Sequence, residues 1–150
     1  MNSTEIENFI ETNSCLRGHF RGVFAINTLP RYVTIYPSAF IVNTEPMPLP
    51  GEHWILIIIY SKQNAIFFDS FGRPPSYYGF DGFLNRNSSH VQYINEQLQA
   101  KNSNYCGFYV LFVLIMLVCK QFTLTEVYSF FTSNVLYNDN FVHSFISRCW

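Results

Sequence analysis

The sequence predicts a single domain that combines several helices with a substantial sheet. Three observations carry this. Aromatic residues make up 19% of the chain, with 16 Phe and 10 Tyr, and such side chains favour pleated, half-buried surfaces. Short apolar runs such as Ala39 to Asn43 and Trp54 to Tyr60 are bounded by Pro, Gly and Asn, as strands are. One longer apolar run, Phe108 to Cys119, has polar residues on both sides and reads as a buried helix. With 150 residues, 49% of them apolar and only 13% charged, the chain can bury one core without disulfide staples.

The same composition narrows the function classes. Net charge is −1 and Lys plus Arg total 9 without forming a basic block, so DNA binding is poorly supported. The four cysteines, Cys15, Cys106, Cys119 and Cys149, lack the C-x-x-C spacing of a zinc site. No metal or cofactor is called for. Cys15 and Cys119 read as small buried core residues and Cys149 as exposed. With a polar, acidic start at Met1 to Glu5, a reducing compartment is the expectation. The continuous apolar stretch Gly107 to Cys119 is 13 residues. A membrane span needs roughly 18 to 20.

In chain order, Ser3 to Ile10 begins like a helix, with Ser3 or Thr4 as cap and Ile6, Phe9 and Ile10 on one face. Arg21 to Asn27 reads as irregular or strand, Arg31 to Tyr36 as a strand stopped by Pro37, and Ala39 to Asn43 as another. Thr44 to Gly51 carries Pro46, Pro48 and Pro50 and reads as an extended loop. Trp54 to Tyr60 is apolar throughout, so both faces are expected to be covered, and Ala65 to Asp69 returns as its hairpin partner. Gly72 to Gly82 reads as a loop, Phe83 to His90 is ambiguous, and Val91 to Leu98 reads as a strand leading to Gln99. Tyr105 to Lys120 is the central helix, with Asn104 as N-cap. Thr123 and Glu126 form a capping box for a helix to about Ser133. Asn138-Asp139-Asn140 precedes a final helix, Phe141 to Arg148.

Cys106 stands at the start of the central helix. Unpaired N–H groups and the macrodipole there favour a thiolate and can hold an oxyanion, although a free cysteine is more often an inert core residue. Gly107 beside it leaves room for a substrate carbonyl. His53 joins a polar loop to a buried strand and is the candidate base; His19, His90 and His143 lack that setting. Asp69, in Asp69-Ser70-Phe71-Gly72, is the candidate to orient His53, against the alternative of ordinary turn chemistry. Strand parity makes this testable. A three-residue loop, 61–63, pairs Tyr60 with Asn64, sets Ile55 opposite Asp69, and puts His53 on the face of Asp69; a four-residue loop puts them on opposite faces. Gln99, seven residues before Cys106, carries an amide that can donate to the oxyanion, or is a plain loop residue. Trp54 would pack against the base.

The order His53-Trp54, Asp69-Ser70-Phe71-Gly72, Gln99 and Cys106-Gly107 resembles the adenovirus-type maturation cysteine proteases (adenains). Ala39 to Thr44 and the opening Glu5 to Gly22 are also similar, so the resemblance covers about residues 3 to 119. It implies an α+β cysteine-protease fold shared with SUMO-specific proteases, in which a central helix carrying the nucleophile packs on a mixed or antiparallel sheet carrying the base. It implies the catalytic set Cys106, His53, Asp69 and Gln99, with Trp54, Gly107 and Gly22 near the substrate. It also implies cleavage of viral structural precursors near Gly-containing motifs during virion maturation, in the virion and the infected cell, nucleus or cytoplasm. Two departures stand out. No cysteine lies between Asp69 and Cys106 to hold an activating peptide by a disulfide, which leaves a non-covalent activating peptide open. The basic excess expected of a DNA-stimulated enzyme is absent. Two other readings stay open: a protease that deconjugates a ubiquitin-like modifier, or an acyltransferase of that clan, and a non-catalytic virion interaction protein.

Overall fold

Hydrophobic patterning divides the chain between a central sheet and helices on both of its faces. The computed structural model describes residues 1–47, 49 and 53–150. The elements in order are α1 (Ser3–Thr12), α2 (Ser14–Arg17), β1 (Phe20–Ala25), β2 (Ser38–Asn43), β3 (Trp54–Ile59), β4 (Ala65–Phe68), α3 (Pro75–Tyr78), α4 (Asp81–Asn87), β5 (Val91–Gln92), α5 (Cys106–Leu114), α6 (Leu124–Tyr128) and α7 (Val135–Cys149). This is an α+β fold around a five-stranded mixed sheet in the order β1-β2-β3-β4-β5. The outer pairs β1–β2 and β4–β5 are parallel, and the inner pairs β2–β3 and β3–β4 antiparallel.

Strand β3 is the centre of the molecule, and every residue of it is buried. Leu56 and Ile58 face a core with Ile6, Phe9 and Ile10 of α1, Val110 and Val113 of α5, and Val142 and Ile146 of α7. Ile55, Ile57 and Ile59 face the other way, against Phe67, Phe80, Phe83 and Leu84. That double burial is why the run reads as continuously apolar rather than alternating. Among the described residues, no helix is long and apolar enough to cross a membrane.

The hairpin has the register that a shared face for His53 and Asp69 demands. Ile59 pairs with Ala65 and Leu56 with Phe68, and Tyr60 N–H donates to the Asn64 carbonyl at 2.9 Å. The connection is therefore the three-residue loop 61–63, and Ile55 stands opposite Asp69.

Several expected elements differ, each for an identifiable reason. The cap of α1 is Asn2, not Ser3 or Thr4: its side chain accepts from Glu5 N–H at 2.9 Å while Glu5 Oε2 accepts from Asn2 N–H at 2.7 Å. Arg31 to Tyr36 forms no strand, because the Asn87 side chain takes its backbone groups instead, accepting from Val33 N–H at 2.7 Å and donating to the Arg31 carbonyl at 3.1 Å. Gly72 to Gly82 is not a plain loop: α3 starts on Pro75, where the missing N–H is harmless, and α4 starts at Asp81. Only Val91 and Gln92 of the expected Val91 to Leu98 strand pair with β4. The central helix is α-helical to Leu114 and widens to a π-helical turn over Ile115–Cys119. Helix α6 has its capping box but stops at Tyr128. Asn138-Asp139-Asn140 lies inside α7, which is capped by Asn134. Of the expected proline loop, Pro48, Pro50 and Gly51 lie outside the described residues.

Cys15 and Cys119 are not buried free thiols. Helix α2 lies against the end of the central helix, with the two Cα atoms 5.9 Å apart, and the cysteines are disulfide-bonded. Their separation of 104 residues is why no local spacing announces the pair. Cys106 is free and buried, and Cys149 free and exposed.

Candidate active site

The site forms where the start of β3, the end of β4 and the start of α5 meet. Two different chain segments supply His53 and Asp69, and the register of the hairpin brings them together. His53 Nε2 and Asp69 Oδ1 are 2.5 Å apart in a buried hydrogen bond. Asp69 is fully engaged: Oδ1 also accepts from Phe71 N–H at 3.0 Å, and Oδ2 from Arg73 N–H at 3.1 Å and the Tyr78 hydroxyl at 2.8 Å. A carboxylate with four donors is fixed in position and kept ionised. Burial would raise its pKa, but the bond and charge of His53 and the Phe71 and Tyr78 donors hold it below the usual carboxylate range.

Because Asp69 occupies Nε2, the ring nitrogen left for chemistry is Nδ1. Burial alone would lower the pKa of His53. Its hydrogen bonds to Asp69 and Cys106, and their negative charge, push it up to about 9. Cys106 moves the opposite way. Burial raises the thiol, yet His53, through hydrogen bonding and charge, and the backbone N–H groups of Trp54 and Gly107 bring its pKa below the ordinary value. A raised imidazole beside a lowered thiol favours the imidazolium–thiolate pair, the reactive form of a cysteine nucleophile.

Helix α5 starts without a side-chain cap; Tyr105, not Asn104, holds the N-cap position. The first amides of α5 therefore remain free to face negative charge. Gln99 is buried at 1% exposure and has a defined orientation. Its Nε2 donates to the Ser103 carbonyl at 2.9 Å, and its Oε1 accepts from the Ser70 hydroxyl at 2.6 Å. A carbonyl can only accept, so this arrangement fixes which end of the amide carries hydrogens. One N–H of Gln99 is used on Ser103 and the other is left over. His53, Gln99 and Cys106 line one cleft of about 380 Å³, with Trp54, Phe71 and Ser103 among its other walls. The Ser103 hydroxyl is buried without a hydrogen-bond partner. A larger cleft of about 520 Å³, lined by Val23, Phe24, Glu45 and Met47 among others, shares Met1 and Trp54 with it.

The three expected substrate-binding positions fare differently. Trp54 lines the cleft, but the rings stacked near His53 are Phe71, with centroids 4.7 Å apart, and Tyr78, at 5.9 Å. Trp54 instead donates its indole N–H to the Met1 carbonyl at 3.0 Å. The space over Gly107 is filled by Met1, since a Cβ on Gly107 would lie 2.9 Å from Met1 Cβ. Gly22, with φ +140 at an irregularity of β1, lines a different cleft with Glu7, Arg17 and Arg21. His143 packs at a tilt against Tyr105 and Phe108, outside the cleft lining.

Residue-by-residue reading missed Ser70, Phe71 and Tyr78. Ser70 carries the most weight, because its carbonyl also accepts from Leu98 N–H at 2.9 Å and Gln99 N–H at 3.1 Å. The dipeptide Asp69-Ser70 thus holds the His53 imidazole with one residue and the Gln99 amide with the next. Its signal was adjacency to Asp69; nothing in the sequence pairs Ser70 with a residue 29 positions on. Comparison of the chain with protein-family models and with curated proteins finds no match.

Proposed function

We propose that this chain is a cysteine endopeptidase of the adenain-like kind. The observation that carries the reading is the gathering of Cys106, His53, Asp69 and Gln99 from four separate sequence segments into one place, with His53 Nε2 bonded to Asp69 at 2.5 Å. The Cys106 thiolate attacks a peptide carbonyl carbon, and the carbonyl π electrons move to oxygen. The Cys106 N–H and the spare Gln99 N–H stabilise that oxyanion. His53, as imidazolium, gives its proton to the departing amine as the C–N bond breaks, leaving a thioester. Neutral His53 then takes a proton from water, which attacks the thioester; the thiolate leaves and the carboxylic acid product is released.

The resemblance points to viral structural precursors cut near Gly-containing motifs during particle maturation. Trp54 and Phe71 wall the cleft of about 380 Å³ beside Cys106, and bulky aromatic walls there favour small residues at the cut. The test is to map cleavage by mass spectrometry on a panel of Gly-containing peptides and, in parallel, on a ubiquitin-like modifier carrying a C-terminal extension. Cleavage of the peptides, lost in Cys106→Ala with the fold intact, is the expected result. Cutting only the modifier fusion would favour deconjugation. Cleavage that survives Cys106→Ala, or a Cys106 that reacts with a peptide electrophile no faster than a free thiol, would overturn the assignment.

A further inference from the structure

The segment that presents Gln99 has no sheet to hold it. Strand β5 ends at Gln92, and residues 93–105 form no further helix or strand. On one side the segment hangs from Ser70. On the other side it is gripped by α7, an element with no residue in the cleft lining. Asn138 Nδ2 donates to the Leu98 carbonyl at 3.1 Å and to the Thr132 carbonyl at 2.8 Å, while its Oδ1 accepts from Thr132 N–H at 2.9 Å. Asp139 Oδ1 accepts from the Tyr109 hydroxyl at 2.8 Å and lies 3.4 Å from Ala100 N–H. The Tyr109 hydroxyl also reaches the Leu98 carbonyl at 3.0 Å.

Asn138 is fully buried and Asp139 is 3% exposed. Two adjacent buried polar side chains inside a helix are costly unless their hydrogen bonds are made. Packing α7 on α5 needs neither, since apolar residues of similar size would serve as well. Besides the Asn138 bonds to Thr132 and the Asp139 bond to Tyr109, each side chain reaches one of the two residues that flank Gln99: Asn138 the Leu98 carbonyl, and Asp139 the Ala100 N–H. We propose that Asn138 and Asp139 are positioning residues for the Gln99 amide: together with Tyr109 they fix the main chain on both sides of Gln99, so that its spare N–H meets the developing oxyanion. This rests on the cysteine-peptidase reading for its chemistry and on geometry alone for the clamp.

The experiment uses the full chain and a peptide it cleaves. Asn138→Ala and Asp139→Ala are made alone and in a Gln99→Ala background, and each is read by kcat, by alkylation of Cys106 with iodoacetamide, and by hydrogen exchange of the amides of residues 98–100. Displacing an oxyanion donor forfeits part of what deleting it would, so kcat is expected to fall about ten-fold in each single variant. In the Gln99→Ala background the further loss is expected to stay below about two-fold, because coupled residues are not additive. Alkylation needs the thiolate and not the amide, so its rate stays unchanged, while exchange at 98–100 accelerates. Asp139→Asn keeps an acceptor at that position and retains near wild-type kcat, which also serves if the alanine variants fold poorly. Equal losses in both backgrounds, alkylation falling in step with kcat, or unchanged exchange would each overturn the proposal. If the unaltered chain cleaves nothing, the peptidase reading fails, and the exchange measurement still decides whether the clamp exists.

Discussion

Replacing Asp69 by Asn tests the charge logic of the site with little change of shape. His53 is pushed up to about 9 from an ordinary 6.5. That difference is a few kcal/mol, about 3, in favour of the imidazolium. Burial acts against the charged ring, so Asp69 and the Cys106 thiolate together supply more than this, with the Asp69 hydrogen bond the largest favourable contribution. An Asn side chain removes the charge, and its amide N–H₂ can turn toward Nε2 and hold the ring in the wrong tautomer. Since the raised pKa keeps His53 protonated through neutral pH, leaving-group protonation fails only as pH rises through about 9. In Asp69→Asn that alkaline limb is expected to move down by at least one pH unit, with kcat/KM near pH 8 falling roughly 10²- to 10⁴-fold. The assay is a kcat/KM profile on one peptide from pH 5 to 10, with near-ultraviolet circular dichroism as the check on folding. An alkaline limb that stays near 9 in a folded variant, with activity within about two-fold of the parent, would show that Asp69 does not set the state of His53.

Three further outcomes are expected. Ser70→Ala frees the Gln99 carbonyl oxygen, so the amide can rotate; kcat should drop about ten-fold while KM holds, and a change in KM alone would count against this role. Gly72 has φ +74, and a Cβ there would lie 2.5 Å from the Glu96 carbonyl carbon; Gly72→Ala should lose ~2–3 kcal/mol in urea denaturation, and a loss within ~0.5 kcal/mol would mean the two loops are not in contact. Cys15→Ser opens a link between residues 104 apart, worth ~4–5 kcal/mol by the chain-entropy account. Its Tm should fall by roughly 10 °C with peptide cleavage retained at low temperature, and an unmoved Tm would show that the bond does not form in solution.

The legible part of the site was the part written in short words with a local physical cause. Cys106 stood out as a candidate because a thiol before an apolar helix has an electrostatic reason to be there, and His53 because it leads into a fully buried strand. The relation between His53 and Asp69 was legible as well, since side-chain alternation turns loop length into facing, and 61–63 is the loop that makes them share a face. The errors have a common origin. Asn87 taking the backbone of Arg31 and Val33, Met1 filling the space over Gly107, and Asn138 buried inside α7 are contacts between residues far apart in sequence. Polar residues in such places look like loop residues until their partners are known.

By itself, the sequence determined the sheet-plus-helix composition and the double-faced strand β3, and it tied the facing of His53 and Asp69 to the length of one loop. These follow from side-chain periodicity, which acts over a few residues. Only the folded chain decided that Ser70 orients Gln99, that α7 grips the segment around it, that Phe71 and Tyr78 rather than Trp54 flank the imidazole, and that Cys15 meets Cys119. Those facts depend on where distant backbones come to rest. No local preference encodes that, because it is set by the burial of the whole core at once.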